Sequence, residues 1–321
     1  MSDGTMKLVS ETVATDSIKK ARETLDERLR AANGGEVLPT DITFAEFVTK
    51  YWEPHCEEKL KPSSKKSHSS NLKHHILPEL RGIKLSQIQT VRLTRLLTVK
   101  REAGMSAKSR LNLYLLLSAL FNYAVSLKLL KTSPLSPQDR PRHEKGEKPT
   151  LTPAQVQTVI DKAPMGFRAL LVLLSLTGLR IGEALGLKWK DVNLEAGRLY
   201  VLRSVWMGKE QSVKSRASVR CKVFGPVLKQ ALDLHKMFSH YTAPDDYVFA
   251  NGAGHAANAD DLRKRQLYPA MDKAKITDRQ ARAFGFHLFR HTSGSMYHAA
   301  SGGDGKCKRG DPVLFLPYAN G

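Results

Sequence analysis

Two short stretches carry residue types suited to gripping an oxyanion. One is Thr177-Gly-Leu-Arg-Ile-Gly-Glu-Ala-Leu185; the other is His287-Leu-Phe-Arg-His-Thr292, about a hundred residues on. Ala169 to Leu174 is a continuous apolar run, and Ser175-Leu176 extends it into a helix-like segment. Thr177-Gly178 interrupts that segment, and Ile181 to Leu187 reads as a second short helix. Arg180 therefore falls at a break between two buried helices. A guanidinium there needs an anion or carbonyl oxygens, because an unpaired buried charge is costly. Glu183, three residues on, shares a helix face with Arg180 and can orient it. On this stretch alone, an Arg180–Glu183 pair that only staples two helices explains the pattern best. His287 and Arg290 change the balance. Their i, i+3 spacing presents both from one helical face, with Leu288, Phe289, Thr292 and Met296 for the apolar side. Two arginines and a histidine in such contexts suit one phosphate. Arginine stays charged and gives two parallel hydrogen bonds, and histidine donates or relays a proton near neutral pH.

The same residues carry a family likeness. Thr177 to Leu185 followed by His287 to Thr292 resembles the tyrosine recombinases, the phage-type integrases, and the resemblance runs from about residue 41 to residue 300. Between the two stretches, Val213-Lys-Ser-Arg-Ala-Ser-Val-Arg-Cys-Lys-Val223 looks like the family's β-hairpin with its catalytic lysine, and Lys214 is the matching position. Lys209 and Lys222 are basic alternatives nearby, and hairpin lysines usually just face water. The resemblance implies site-specific DNA recombination or integration, by strand breakage and rejoining through a phosphotyrosine. Arg180 and Arg290 would clamp the phosphate, His287 would donate to it or help move the nucleophile's proton, and Lys214 would protonate the departing 5′ oxygen. It implies double-stranded DNA as partner, a homo-oligomer (a tetramer on DNA when intact), a mobile-element or prophage origin, and neither cofactor nor metal.

The nucleophile is where this sequence departs from the family. There a Gly-His pair follows the second arginine by about two dozen residues, and the tyrosine follows by about nine more. Those positions fall near 313 and 322; position 313 is Val, and the sequence stops at Gly321. From Ser301 onward Gly302, Gly303, Gly305, Gly310, Pro312 and Pro317 oppose the expected helices. Tyr318 stands in that tail without a surrounding motif, and Tyr297, on the His287 helix, reads as packing. The expectation is an integrase whose nucleophile segment is missing or frame-shifted, truncated or atypical after about residue 301. The alternative is a catalytically inactive DNA-binding remnant.

The elements that must position these groups read as mainly α with a small antiparallel β-sheet (α+β), in a two-domain tyrosine-recombinase architecture. Residues 1–40, with seven acids and six bases, form an extension whose Asp16–Ala32 stretch is amphipathic. Residues 41–130 read as a helical domain similar to the family's core-binding domain. Its helices are a first capped by Asp41 or Thr43, then Ser63–Leu77, Ser86–Lys100 and Ser106–Leu130. Between Lys61 and Arg110 twelve Lys or Arg stand against Glu79 and Glu102, a net +10 suited to phosphate contacts. Lys65, Lys66, Lys73, Arg92, Arg95 and Arg110 are the DNA-binding candidates. Residues 131–149, with four prolines and a charge run, read as a linker. The second domain, 150–321, opens with a capping box at Thr152-Pro-Ala-Gln155. It continues with a strand over Leu199–Val205, a hairpin over Ser212–Val223 and helices over Pro226–His240 and Asp260–Ala274. Tyr247–Ala250 is a short strand, and Pro269 should kink or split the Asp260–Ala274 helix.

Composition agrees with this reading. The 321 residues carry 51 Lys or Arg against 31 Asp or Glu, a formal charge of +20, which points to a polyanion partner. An apolar fraction of 41% is enough for packed cores and argues against a disordered tail protein. Cys56, Cys221 and Cys307 have neither disulfide-framework nor zinc spacing, and His68, His74 and His75 lack partners at metal-ligand spacing. The cysteine pattern fits a reducing cytoplasm, and no apolar run is long enough to span a bilayer.

Overall fold

A computed structural model of the chain describes residues 42–143, 146, 148–212 and 220–300. The amphipathic stretch at 16–32, Lys214 and Tyr318 lie outside the described residues. The chain divides into two compact units, Met1–Lys145 and Gly146–Gly321. Each has its own hydrophobic core.

The first unit is helical. Thr43 caps α1 (Phe44–Phe47): its hydroxyl accepts from Glu46 N while the Glu46 carboxylate accepts from Thr43 N. Such a cap contributes about 1 kcal/mol. A π-turn (Val48–Trp52) joins α1 to α2 (Glu53–Lys59). Next come α3 (Pro62–Asn71), a π-turn (Leu72–Ile76) and α4 (Leu77–Leu80). The unit closes with α5 (Thr90–Glu102) and the 20-residue α6 (Ala107–Ser126), capped by Ser106. Phe44, Phe47, Ile76, Leu80, Leu93, Leu117 and Phe121 meet in the core. The proline-rich stretch that follows is not free linker from its start. Leu135 is buried, the Tyr114 hydroxyl donates to Ser136 O at 3.1 Å, and the Thr94 hydroxyl donates to Asp139 at 2.6 Å.

The second unit begins with α7 (Pro153–Lys162), capped by Thr152 with Gln155 reciprocating. The apolar α8 (Met165–Thr177) is its central helix, packed by α7 on one side and by later helices on others. α9 (Ile181–Leu185) follows at once. The strands are β1 (Val192–Asn193), β2 (Arg198–Val201), β3 (Arg203–Trp206), β4 (Lys209–Ser212) and β5 (Arg220–Val223). They form two antiparallel sheets, β1-β2-β5 and β3-β4. Leu199–Val205 is not one strand: the chain breaks at Leu202, leaving β2 and β3 in different sheets. Residues 213–219 of the expected Ser212–Val223 hairpin lie outside the described residues; at its two ends β4 pairs with β3, and β5 pairs with β2, Val201 opposite Arg220. Tyr247–Ala250 makes only single bridges, Lys188 with Tyr247 and Ala250 with Ala256.

The remaining helices are α10 (Pro226–Met237), α11 (Ala259–Leu262), α12 (Tyr268–Lys273), α13 (Arg279–Phe284) and α14 (Phe286–Ala300). A π-turn (Arg263–Leu267) carries the chain from α11 into α12, so Pro269 neither ends nor splits the helical run. α14 packs along α8. The buried Thr292 hydroxyl of α14 accepts a hydrogen bond from Leu151 N at 2.9 Å, pinning the entry of the unit to its last described helix.

Candidate active site

The site forms where α8 stops. Gly178 caps α8 in the left-handed conformation, φ 61°, which only glycine adopts without strain. Two residues later Arg180 is the N-cap of α9. α9 lies so close to β3 that a Cβ on Gly182 would stand 2.6 Å from Val205 O and 2.7 Å from Ser204 Oγ. Gly182 is therefore the residue that lets the Arg180 turn dock on the strand.

Glu183 holds Arg180 in two ways. Its Oε2 accepts from Arg180 N at 3.0 Å, and its Oε1 accepts from Arg180 Nη1 at 2.8 Å. Arg220, the first residue of β5, donates from Nη2 to Glu183 Oε2 at 2.8 Å. The Glu183 side chain is 4% exposed, against 47% for Arg180 and 26% for Arg220. Burial pushes the Glu183 carboxyl up more than any single donor lowers it. The hydrogen bonds from Arg220 and from the Arg180 backbone and guanidinium together outweigh burial, and the acid stays below its ordinary value. One buried carboxylate thus sits between two cations. Arg180 is not the buried charge that its apolar flanks suggest. Half of it faces solvent, where a ligand can reach it.

α14 brings the other groups to the same turn. Arg290 Nη1 donates to Gly178 O, two residues before Arg180. His287, one turn earlier on α14, is pushed below the ordinary imidazole value first by desolvation, then by the positive charges of Arg290 and Arg180. His287 is thus within electrostatic reach of both arginines, and it keeps an exposed surface. His291 is lowered by desolvation first, then by Lys148, His287 and Arg290, and packs edge-on to Phe284 at 5.4 Å. Arg180, His287 and Arg290, distant in sequence, converge on one helix end. Two guanidinium groups and a neutral imidazole there are equipped to bind a tetrahedral oxyanion and hold charge that develops on it. Among the described residues no group of three or more His, Cys, Asp or Glu could hold a metal ion.

Other candidate positions fare differently. Lys214 belongs to 213–219, outside the described residues, and its neighbours Lys209 and Lys222 stand on β4 and β5. Tyr297 is partly buried two helical turns past Arg290, about 10 Å along the α14 axis. In the first unit Lys66, Lys73, Arg92 and Arg95 are exposed. Lys65 pairs with Glu57, and Arg110 Nε donates to Met105 O at 3.3 Å. Arg92 and Arg95 line a groove of about 450 Å³ with Glu79, Val91 and Val99. Two ion pairs on buried carboxylates escaped the sequence reading: Arg220 with Glu183, and Arg203 with Asp191. The first had a faint signal, a basic residue returning at the end of the Lys214 stretch.

Fold and site together define a two-domain, mainly helical α+β protein that gathers basic groups at a helix break in its second unit. The Phage integrase family model matches residues 149–303, and the model of the phage integrase N-terminal SAM-like domain matches residues 43–98. A tyrosine recombinase XerC-like protein of Caldanaerobacter subterraneus is 26% identical over 320 residues, covering 89% of this chain and 80% of its own. The ICEBs1 integrase of Bacillus subtilis is 26% identical over 178 residues, 54% of this chain and 46% of its own. Among solved structures, the Tn1549 transposon integrase in complex with transposon right-end DNA aligns with a TM-score of 0.66 at 19% identity, covering 81% of this chain and 88% of that one. A lambda integrase dimer bound to a COC′ core site aligns with a TM-score of 0.61 at 19% identity, covering 81% and 91%. The chain belongs to the tyrosine recombinases, the phage integrase family. Among the described residues no helix is long and apolar enough to cross a membrane.

Proposed function

We propose that the protein carries out site-specific DNA recombination for a mobile element, breaking and rejoining duplex DNA through a phosphotyrosine, in a cytoplasmic setting. The observation that carries the reading is the single turn shared by Arg180, His287 and Arg290, with Arg290 donating to Gly178 O and His287 feeling both arginines. In this reading Arg180 and Arg290 clamp the scissile phosphate, and neutral His287 donates to it or takes the nucleophile's proton. Lys214 is the general acid for the leaving 5′ oxygen; it lies two residues after Ser212 and six before Arg220, which itself touches Glu183. Lys65, Lys66, Lys73, Arg92, Arg95 and Arg110 contact the DNA backbone. The Tn1549 and lambda integrase structures above were solved with DNA, and a lambda integrase tetramer bound to a Holliday junction also aligns, which supports duplex DNA and a tetramer as partners here.

The test uses the full chain. A duplex recovered from a random-sequence pool by its binding is nicked to trap cleavage, and covalent protein–DNA adduct is scored after denaturation. Adduct that disappears in Arg180→Ala is expected, and mapping the attached residue identifies the nucleophile. Adduct formed equally by Arg180→Ala overturns the site. Salt-sensitive binding with no adduct leaves the inactive DNA-binding protein as the correct reading.

A further inference from the structure

Arg220 has no part in the clamp just described, yet it touches the residue that holds Arg180. Its Nη2 lies 2.8 Å from Glu183 Oε2, while Arg180 Nη1 lies 2.8 Å from Glu183 Oε1. The carboxylate is nearly buried, so it has two cations and little water to satisfy it. Charge decides what this means for a ligand. Arg180 and Glu183 alone would sum to zero, and a phosphate approaching Arg180 would have to compete with a buried carboxylate that had no other cation. Adding Arg220 leaves the trio at +1. Arg220 is also fixed on a paired strand, opposite Val201, so it holds the carboxylate from a rigid base.

We propose that Arg220 is a positioning residue for phosphate binding: by holding Glu183 from the strand side, it leaves the charge and outward N–H groups of Arg180 free for the anion. The inference rests on the reading of Arg180 as a phosphate clamp. Arg220 itself does not touch the substrate.

The test titrates the full-length chain with sulfate, a tetrahedral stand-in for the phosphate, and follows the His287 imidazole resonance by NMR. Arg220→Met is expected to weaken the sulfate site on the order of tenfold, because Glu183, left without its strand-side cation, then competes with the anion for Arg180. Arg220→Lys, which keeps the charge, is expected to lose less. The deciding variant is Glu183→Gln combined with Arg220→Met. With the carboxylate gone that competition is gone, so the double variant loses much less against Glu183→Gln than Arg220→Met loses against the wild type. A mere sheet clip gives a different pattern: a lower melting temperature with unchanged sulfate affinity, or a loss that persists undiminished in the Glu183→Gln background. Either result overturns the proposal. If Arg220→Met fails to fold, Arg220→Gln replaces it in both comparisons. The two levels of inference fail separately. No His287 response to sulfate in the wild type, or the same response in Arg180→Ala, removes the phosphate clamp. A response lost in Arg180→Ala but unchanged in Arg220→Met removes the role of Arg220 alone.

Discussion

Gly182→Ala isolates the contact that places Arg180. The added methyl would stand 2.6 Å from Val205 O and 2.7 Å from Ser204 Oγ. The serine hydroxyl can rotate away, but the Val205 carbonyl belongs to β3 and is held by the β3–β4 pairing, Val205 opposite Glu210. Ordinary van der Waals contact begins near 3.4 Å, so α9 and β3 must part by about 0.8 Å. Overpacking of this kind costs about 1–3 kcal/mol, and alanine's better helix propensity returns up to about 1 kcal/mol, so a net loss of about 1–2 kcal/mol is expected. The functional loss should be larger. Arg180 is two residues from the methyl, and a displacement approaching 1 Å at a positioning group can cost about 100-fold in rate. Sulfate affinity and adduct yield should both fall.

Gly294→Ala is the matched control. Gly294 lies inside α14, and nothing stands within 4 Å of where its Cβ would be. The same chemical change there should stabilise by about 0.5–1 kcal/mol through helix propensity alone. Chemical denaturation of the second unit's transition and the His287-monitored sulfate titration read both variants. A Gly182→Ala protein that is as stable as the wild type and binds sulfate equally well would refute the argument that this close approach sets Arg180.

Three further outcomes follow from the geometry. Thr292→Val keeps the side-chain shape but removes the buried acceptor of Leu151 N, and should cost about 1–3 kcal/mol in denaturant unfolding; a loss under about 0.5 kcal/mol would mean the amide finds another partner. Arg203→Met leaves Asp191, 3% exposed, without its guanidinium partner and should destabilise by about 3–5 kcal/mol; adding Asp191→Asn should recover a large part, and no recovery would show that the charge is not the cause. His287 is held below its ordinary value by desolvation, Arg290 and Arg180, so the unfolded chain takes up this proton first. Its contribution to stability is therefore full above the ordinary histidine range, near pH 6.5, and declines as pH falls through that range toward the folded-state value. Arg180→Ala or bound sulfate should raise the His287 titration midpoint by NMR, and no movement in either case would mean that His287 does not sense Arg180.

What was legible in the sequence follows from the range of the interactions. The break at Gly178, Arg180 as the start of the next helix, its Glu183 partner, and the shared face of His287 and Arg290 are all set within four residues. Glycine's left-handed preference and helical spacing announce them locally. The Arg220–Glu183 and Arg203–Asp191 pairs span 37 and 12 residues, and only strand pairing decides them. That pairing was misjudged because residues 199–205 look continuously strand-like. Nothing in Leu202 itself says that the chain changes sheets there.

The prolines within the helices show how a local rule can be correct and still mislead. Pro54, Pro78 and Pro269 each lie in a long helical run, and by propensity each should end or kink it. The structure instead has a π-turn ending two residues before each: Val48–Trp52, Leu72–Ile76 and Arg263–Leu267. The carbonyl four residues before each proline, at Lys50, His74 and Arg265, falls at the centre of its π-turn. That is the carbonyl a proline ring would strike in a regular α-helix, and the proline has no N–H to bond it. Widening the turn to i→i+5 bonding relieves the clash while the run continues. Each run keeps apolar residues buried across the junction, Phe47 with Cys56, Leu72 with Leu80, and Leu267 with Met271. Burial on both sides of a proline therefore outweighs its intrinsic cost of about 3 kcal/mol, provided that one turn can widen. A proline flanked by helical apolar spacing on both sides is better read as a widened turn than as a helix boundary.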